Sequence, residues 1–269
     1  MPNTSHQGAR ISYRVSGSGP TALFLSGIGQ RAVDWNDRFL ATMGERFRVV
    51  APDNRGTGHS DAPEGEYTLD LLADDAVAVL DALDCARAHV IGHSMGGMIA
   101  QLVAARHPHR VERLVLVCTH AGGPTVVPPT PQAMAALIPA RTLPPAEIVR
   151  YAMTTISSPG FAARDPAAIA QLVANAEATP TPQMTWVRQM QAILVSDRTG
   201  LLPKITVPTL VIHGADDSLI PPANGRAIAT LIPGAGYAEI VECGHMPMWE
   251  RPLQLAQIVG DFLLAAAHR

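Results

Sequence analysis

The stretch Val90-Ile91-Gly92-His93-Ser94-Met95-Gly96-Gly97 constrains this 269-residue chain more than any other. An apolar run leads into it, and an Ala-rich segment with helical patterning leads out of it and ends at Pro108. Between a strand and a helix, G-x-S-x-G places its serine on a sharp, strained turn. A side chain at position 92 or 96 would collide with the neighbouring strand and helix, so glycine is required at both. The Ser94 hydroxyl is therefore expected at the carboxyl edge of a sheet and the amino end of a helix, where negative charge is favoured.

A serine oxygen is a poor nucleophile near neutrality. It needs a base at hydrogen-bond distance, and the base needs a carboxylate to fix its tautomer. In a parallel sheet such groups gather at the carboxyl ends of strands. The pair Asp216-Asp217 lies just beyond a predicted strand at 209–212, and His245 just beyond one at 238–242. The order Ser, Asp, His differs from that of trypsin-like and subtilisin-like proteases.

The rest of the chain supplies the frame. Alternating polarity at 11–16 reads as an edge strand, and short apolar runs at 22–25, 48–51, 88–92 and 113–118 read as buried strands. Helical patterns intervene around 33–44, 68–83 and 95–107, the second capped by Thr68. Strands alternating with helices predict a mostly parallel α/β sheet. From about 120 to 203 the strand signal stops, and helical fragments at 146–156, 166–178 and 182–196 predict a helical insertion rather than a loop. The rhythm resumes at 209–212, and a last helix is expected at 252–267. The division is thus a core of 1–119 and 204–269, with 120–203 as a helical cap.

Composition excludes several classes. A net charge of -3 carries no basic surplus for nucleic acid or an anionic membrane. No apolar run reaches a membrane span, and the polar first ten residues lack a signal-peptide core, which predicts a cytoplasmic protein. Three cysteines, Cys85, Cys118 and Cys243, form neither a disulfide frame nor a C-x-x-C site. No cluster has metal-ligand spacing, and Gly56 and Gly58 lack the setting of a dinucleotide site, so neither metal nor cofactor is expected.

Ser26-Gly27-Ile28-Gly29, Asp53-Asn54-Arg55-Gly56-Thr57-Gly58-His59-Ser60, Gly92-His93-Ser94-Met95-Gly96, the loop 213–221 and Gly244-His245 together resemble the α/β-hydrolase fold over nearly the whole chain. The resemblance implies an eight-stranded-type sheet flanked by helices, with a triad of Ser94, Asp217 and His245. In that family the acid usually stands three residues after the strand-ending Gly and four before a Pro, which selects Asp217. Some relatives place it after the strand that follows the elbow helix, where this chain has Cys118-Thr119-His120 and no carboxylate. The resemblance also implies an oxyanion hole from the backbone N–H groups of Ile28 and Met95. Related dehalogenases and epoxide hydrolases carry Asp at the elbow, against Ser94 here.

The expected reaction is hydrolysis of a small or medium apolar ester or lactone through an acyl-enzyme. Carbon–carbon bond hydrolases, cofactor-free haloperoxidases and a non-turnover ligand receptor are the alternatives. An apolar pocket is expected from Met134, Met184, Trp186 and Met190 of the insertion with Ile220, Met246 and Trp249, and with Ser26 turned toward the substrate. His93 is expected to be structural, its ring directed away from the attacking face.

Overall fold

The computed structural model describes residues 1–137 and 143–265. The described residues form one eight-stranded sheet in the order β1 (Asn3–His6), β2 (Ala9–Ser16), β4 (Arg48–Pro52), β3 (Thr21–Leu25), β5 (Ala88–His93), β6 (Val111–Val117), β7 (Thr209–Gly214), β8 (Gly236–Ile240). From β4 to β8 every neighbouring pair is parallel, and β1–β2 and β2–β4 are antiparallel. Val90, Ile91, Leu114, Val115 and Leu116 in the central strands are fully buried, as continuous apolar runs require when helices cover both faces.

The edge differs from the expectation at 11–16. Asn3–His6 adds a further strand against β2 through a turn at Gln7-Gly8, both at positive φ. Its residues NTSH bury nothing and so carry no apolar alternation to read. The final strand ends two residues earlier than expected, with Val241 exposed. The segment predicted as one helix at 33–44 is a short 3-10 turn, Ala32–Asp34, followed by α1 (Asp37–Gly44). Asn36 begins α1 by accepting from the N–H groups of Arg38 and Phe39.

Helix α2 (Leu69–Ala82) starts on Thr68, whose hydroxyl accepts from Leu71 N–H. Helix α3 (Met95–Arg106) is buried continuously from Met95 to Ala104, because sheet and α2 enclose it. Its Gly96, Gly97, Ala100 and Ala104 let it lie close to the strands. Between β6 and β7 the chain leaves the sheet and forms α4 (Pro131–Leu137), α5 (Pro145–Ile156), α6 (Phe161–Arg164), α7 (Pro166–Ala178) and α8 (Gln183–Val195). Helices α9 (Pro222–Leu231), α10 (Pro247–Glu250) and α11 (Pro252–Leu264) complete the described chain. No helix among the described residues is long and apolar enough to cross a membrane.

Candidate active site

Ser94 stands alone between β5 and α3 with φ 55° and ψ −120°, a conformation that costs about 1–3 kcal/mol and persists only where the surroundings impose it. Here they do. Ser94 N–H donates to Val117 O at 2.9 Å, and Ser94 O accepts from Thr119 Oγ1 at 2.8 Å. A Cβ on Gly96 would lie 1.9 Å from Leu25 O, and one on Gly92 would lie 2.2 Å from Gly96 O. Thr119 escaped the sequence reading, although Gly97 is its counterpart: a Cβ there would lie 2.7 Å from the threonine side chain.

Asp217 and His245 are joined. The His245 Nδ1–H donates to Asp217 Oδ2 at 2.8 Å, and Asp217 Oδ1 accepts from the N–H groups of Leu219 and Ile220. Both side chains are buried, whereas Asp216 faces solvent. Cys118, at φ 48°, ends β6 beside them; its Sγ, an Asp217 oxygen and a His245 ring nitrogen lie within 4.8 Å of one another. This is a grouping that spacing along the chain did not reveal. Burial and the Asp217 carboxylate hold the Cys118 thiol well above its ordinary pKa, so it is a neutral neighbour of the acid rather than a thiolate.

The loop carrying His245 is held by Glu250, a role that spacing along the chain did not reveal. Its buried carboxylate accepts from Gly244 N–H and Met246 N–H, on either side of His245, and from Ser158 N–H in the insertion. His93 Nε2–H donates to His245 O at 2.8 Å, and its Nδ1 lies 3.2 Å from Gln30 Oε1. Burial drives the His93 pKa well below 6.5, with His245 adding to the effect, so His93 is neutral. His93 is also among the residues that line the cavity.

Ser94 and His245 open into one cavity of about 220 Å³. Its floor includes Gly27, Ile28 and Met246, and its roof is Ile148, Val149, Ala152, Met153 and Ile156 of α5 with Leu172 and Ala176 of α7 and Trp186 of α8. Gly27 lies against the serine: a Cβ on it would sit 3.2 Å from Ser94 Cβ. Gly27 N–H donates to Gln30 Oε1 and Gly29 N–H to Gln189 Oε1. Among the described residues, no protein acceptor takes the N–H of Ile28 or of Met95.

Of the expected pocket residues, Trp186 and Met246 line this cavity and six do not. Met134 and Met184 are 40% and 55% exposed, on faces of α4 and α8 that look outward. Met190 is half-buried on α8 but lies outside the lining. Ile220 is buried behind Asp217 and serves it through its N–H. Trp249 points its Nε1–H at Asp34 O rather than into the site. Ser26 turns away from the substrate space, its Oγ donating to Arg31 O and accepting from Trp35 Nε1–H. The apolar face of α5 was readable, since 148, 149, 152, 153 and 156 recur at helical spacing.

Residues 20–252 match the family model described as alpha/beta hydrolase fold. Among solved structures, the enol-lactonase from Burkholderia xenovorans LB400 aligns with a TM-score of 0.86 at 31% identity, covering 97% of this chain and 99% of that one. An esterase from Rhodococcus sp. ECU1013 aligns with a TM-score of 0.85 at 29% identity, covering 98% of each chain. The 2-hydroxymuconate semialdehyde hydrolase of Pseudomonas sp. (strain CF600) is 32% identical, over 96% of this chain and 92% of its own length. With its parallel sheet, its elbow serine and a family match over most of its length, the chain belongs to the alpha/beta hydrolase fold family.

Proposed function

We propose that this protein is a serine hydrolase that cleaves a small-to-medium, uncharged apolar carboxylic ester or lactone, with residues 120–203 acting as the cap over the site. The observation that carries this reading is one apolar cavity lined by Ser94, His245 and Ile28, with His245 bonded to Asp217 and with the N–H groups of Ile28 and Met95 left without protein acceptors among the described residues.

In this mechanism His245 Nε2 removes the proton from Ser94 Oγ as the oxygen attacks the acyl carbon. Asp217 stabilises the imidazolium that forms. The carbonyl oxygen becomes an oxyanion and accepts from Ile28 N–H and from Met95 N–H, the latter at the positive end of α3. The imidazolium returns its proton to the departing alkoxide, leaving an acyl-enzyme. A water deprotonated by His245 attacks the acyl carbon, and the acid departs as Ser94 is reprotonated.

The charge of the cavity wall supports an uncharged substrate. Arg31 is the cation there, and its guanidinium is already used: two bonds to the Asp34 carboxylate, and others to the carbonyls of Asn175 and Thr179. A substrate carboxylate would find no unpaired cation among the described lining residues and would carry its desolvation cost uncompensated. That weighs against the carbon–carbon bond hydrolase reading, because a muconate semialdehyde is an anion.

The test is turnover of p-nitrophenyl acetate, butyrate, hexanoate and octanoate, with and without a terminal carboxylate, together with labelling by a fluorophosphonate. Ser94-dependent turnover of the neutral esters is expected. Ser94→Ala should lower it by about 10⁴-fold or more and abolish labelling. Equal turnover by Ser94→Ala, or preference for the carboxylate-bearing esters, is the result that defeats this reading.

A further inference from the structure

The oxyanion loop is gripped by the insertion rather than merely covered by it. Gln189 on α8 is fully buried and both ends of its amide are committed: Oε1 accepts from Gly29 N–H at 2.8 Å, and Nε2 donates to Arg55 O at 3.2 Å. The other side of Gly29 is held too, since Thr181 Oγ1 donates to Gly29 O at 2.7 Å. Gly29 itself is at φ +66°, where a side chain is strained, and Trp186 Cδ1 lies a tight 3.2 Å from where a Cβ would be. Before Ile28, Gly27 N–H is held by Gln30 Oε1. Ile28, which lines the cavity, therefore sits between two anchored peptides, and its own N–H has no protein acceptor among the described residues.

Building on the reading of Ser94 as the nucleophile and Ile28 N–H as an oxyanion donor, we infer that Gln189 is a positioning residue that fixes the direction of the Ile28 N–H. Helix α8 thereby couples the cap to the chemistry. It spans the loops that follow β3 and β4, with Thr185 packed where a Cβ on Gly56 would lie 2.6 Å away, Trp186 in the cavity wall and Gln189 holding Gly29 and Arg55. Without the glutamine oxygen, the part-buried Gly29 N–H loses its acceptor. The loop turns to find one, and Ile28 N–H moves off the line to the developing oxyanion. A structural tie alone would stabilise the fold or shape substrate binding, and would leave the chemical step untouched.

The test compares wild type with Gln189→Leu, Gln189→Glu and Thr181→Val. It reads the second-order rate constant for phosphonylation of Ser94 by a fluorophosphonate, kcat and KM on p-nitrophenyl butyrate, and the unfolding temperature. Phosphonylation puts a phosphoryl oxygen in the same hole without needing the natural substrate. Gln189→Leu is expected to lower phosphonylation and kcat together by about tenfold or more, since displacing a donor loses part of its worth. KM should stay within about twofold, as for an interaction made in the transition state. Gln189→Glu, whose buried carboxyl in its protonated form accepts from Gly29 N–H and donates to Arg55 O, should remain within about threefold of wild type, and Thr181→Val should show a smaller loss in the same direction.

The inference is overturned if Gln189→Leu changes only the unfolding temperature or only KM, or if Gln189→Glu loses as much as Gln189→Leu. Should Gln189→Leu fail to fold, Gln189→Glu and Thr181→Val still decide: wild-type rates in Thr181→Val, or a full loss in Gln189→Glu, defeat it. Labelling of Ser94 without ester turnover would sink the proposed substrate class and leave the Gln189 comparison intact. No labelling of wild type would remove the nucleophile assignment and this inference with it.

Discussion

Cys118 occupies a position that bears directly on how His245, the base of the proposed mechanism, is oriented. It ends β6 as Asp217 follows β7, and its sulfur shares a 4.8 Å neighbourhood with the acid and the His245 ring. A carboxylate placed there approaches the imidazole from the adjacent strand of the same edge. Asp217→Asn should reduce kcat/KM by about 10⁴-fold, because the amide presents a donor where the Nδ1–H needs an acceptor. Adding Cys118→Asp to Asp217→Asn is expected to recover at least about tenfold of that loss, as one charged partner at hydrogen-bond distance is restored. Steady-state kinetics on p-nitrophenyl butyrate measure both; a double variant no faster than Asp217→Asn refutes the placement. The same residue scale explains why the elbow was legible before any coordinates. Gly92 is dictated by a collision within the turn itself, with Gly96 O, and Gly96 by one with Leu25 O on the neighbouring strand, a close approach that the strand–turn–helix pattern already implies. Asp217 against Asp216 was not fixed by the residues alone, since both follow the strand; the turn that buries one and exposes the other is a matter of tertiary contact.

At the scale of elements, the helices of the insertion separate what sequence can and cannot tell. Their extents were close to the expected ones, yet the faces they turn to the site were not. Helix α8 buries Thr185, Trp186, Gln189 and Ala192, a stripe that includes two polar residues and leaves Met184 in solvent. Hydrophobicity favours Met184 and Met190 over Gln189. The decisive demand, however, is a hydrogen-bond partner for Gly29 N–H, contributed by a loop 160 residues away. Helix α5 shows the reverse: its apolar face is regular, and it forms the roof. A bulky residue at Ala152 should therefore act directly on substrate size. Ala152→Phe is expected to raise KM or lower kcat/KM for the octanoate ester by about tenfold or more while sparing the acetate, since filling a pocket discriminates by steric exclusion. Met184→Gln should leave the whole ester series within about twofold, as surface changes ordinarily do. An unchanged chain-length profile in Ala152→Phe would place the acyl chain elsewhere.

The molecule as a whole concentrates imidazoles in its sheet, and they are kept neutral. His93, His120 and His213 lie at the carboxyl ends of β5, β6 and β7, and His89 lies near the start of β5. Burial lowers all four pKa values from 6.5; His93 is driven well below it, and His120 to about 4, where the Arg198 charge adds to burial. The unfolded chain protonates these rings below about pH 6.5, whereas the folded chain resists to lower pH, to about 4 for His120, so over that window the unfolded state binds more protons. Stability contributed by the neutral rings is complete above pH 6.5 and declines as pH falls towards 4. Asp53 acts in the opposite sense, because burial raises its carboxyl above 3.8 and the folded state takes up its proton first. One carboxyl set against four imidazoles does not reverse the sign. Urea unfolding at closely spaced pH values should thus show the midpoint falling steadily between pH 6.5 and 4 with an unchanged slope. Replacing His120 by Gln should flatten part of that fall, since a ring displaced by burial and by the Arg198 charge no longer titrates. A midpoint that holds level across the window would mean that these rings accept protons in the fold as readily as in the free chain.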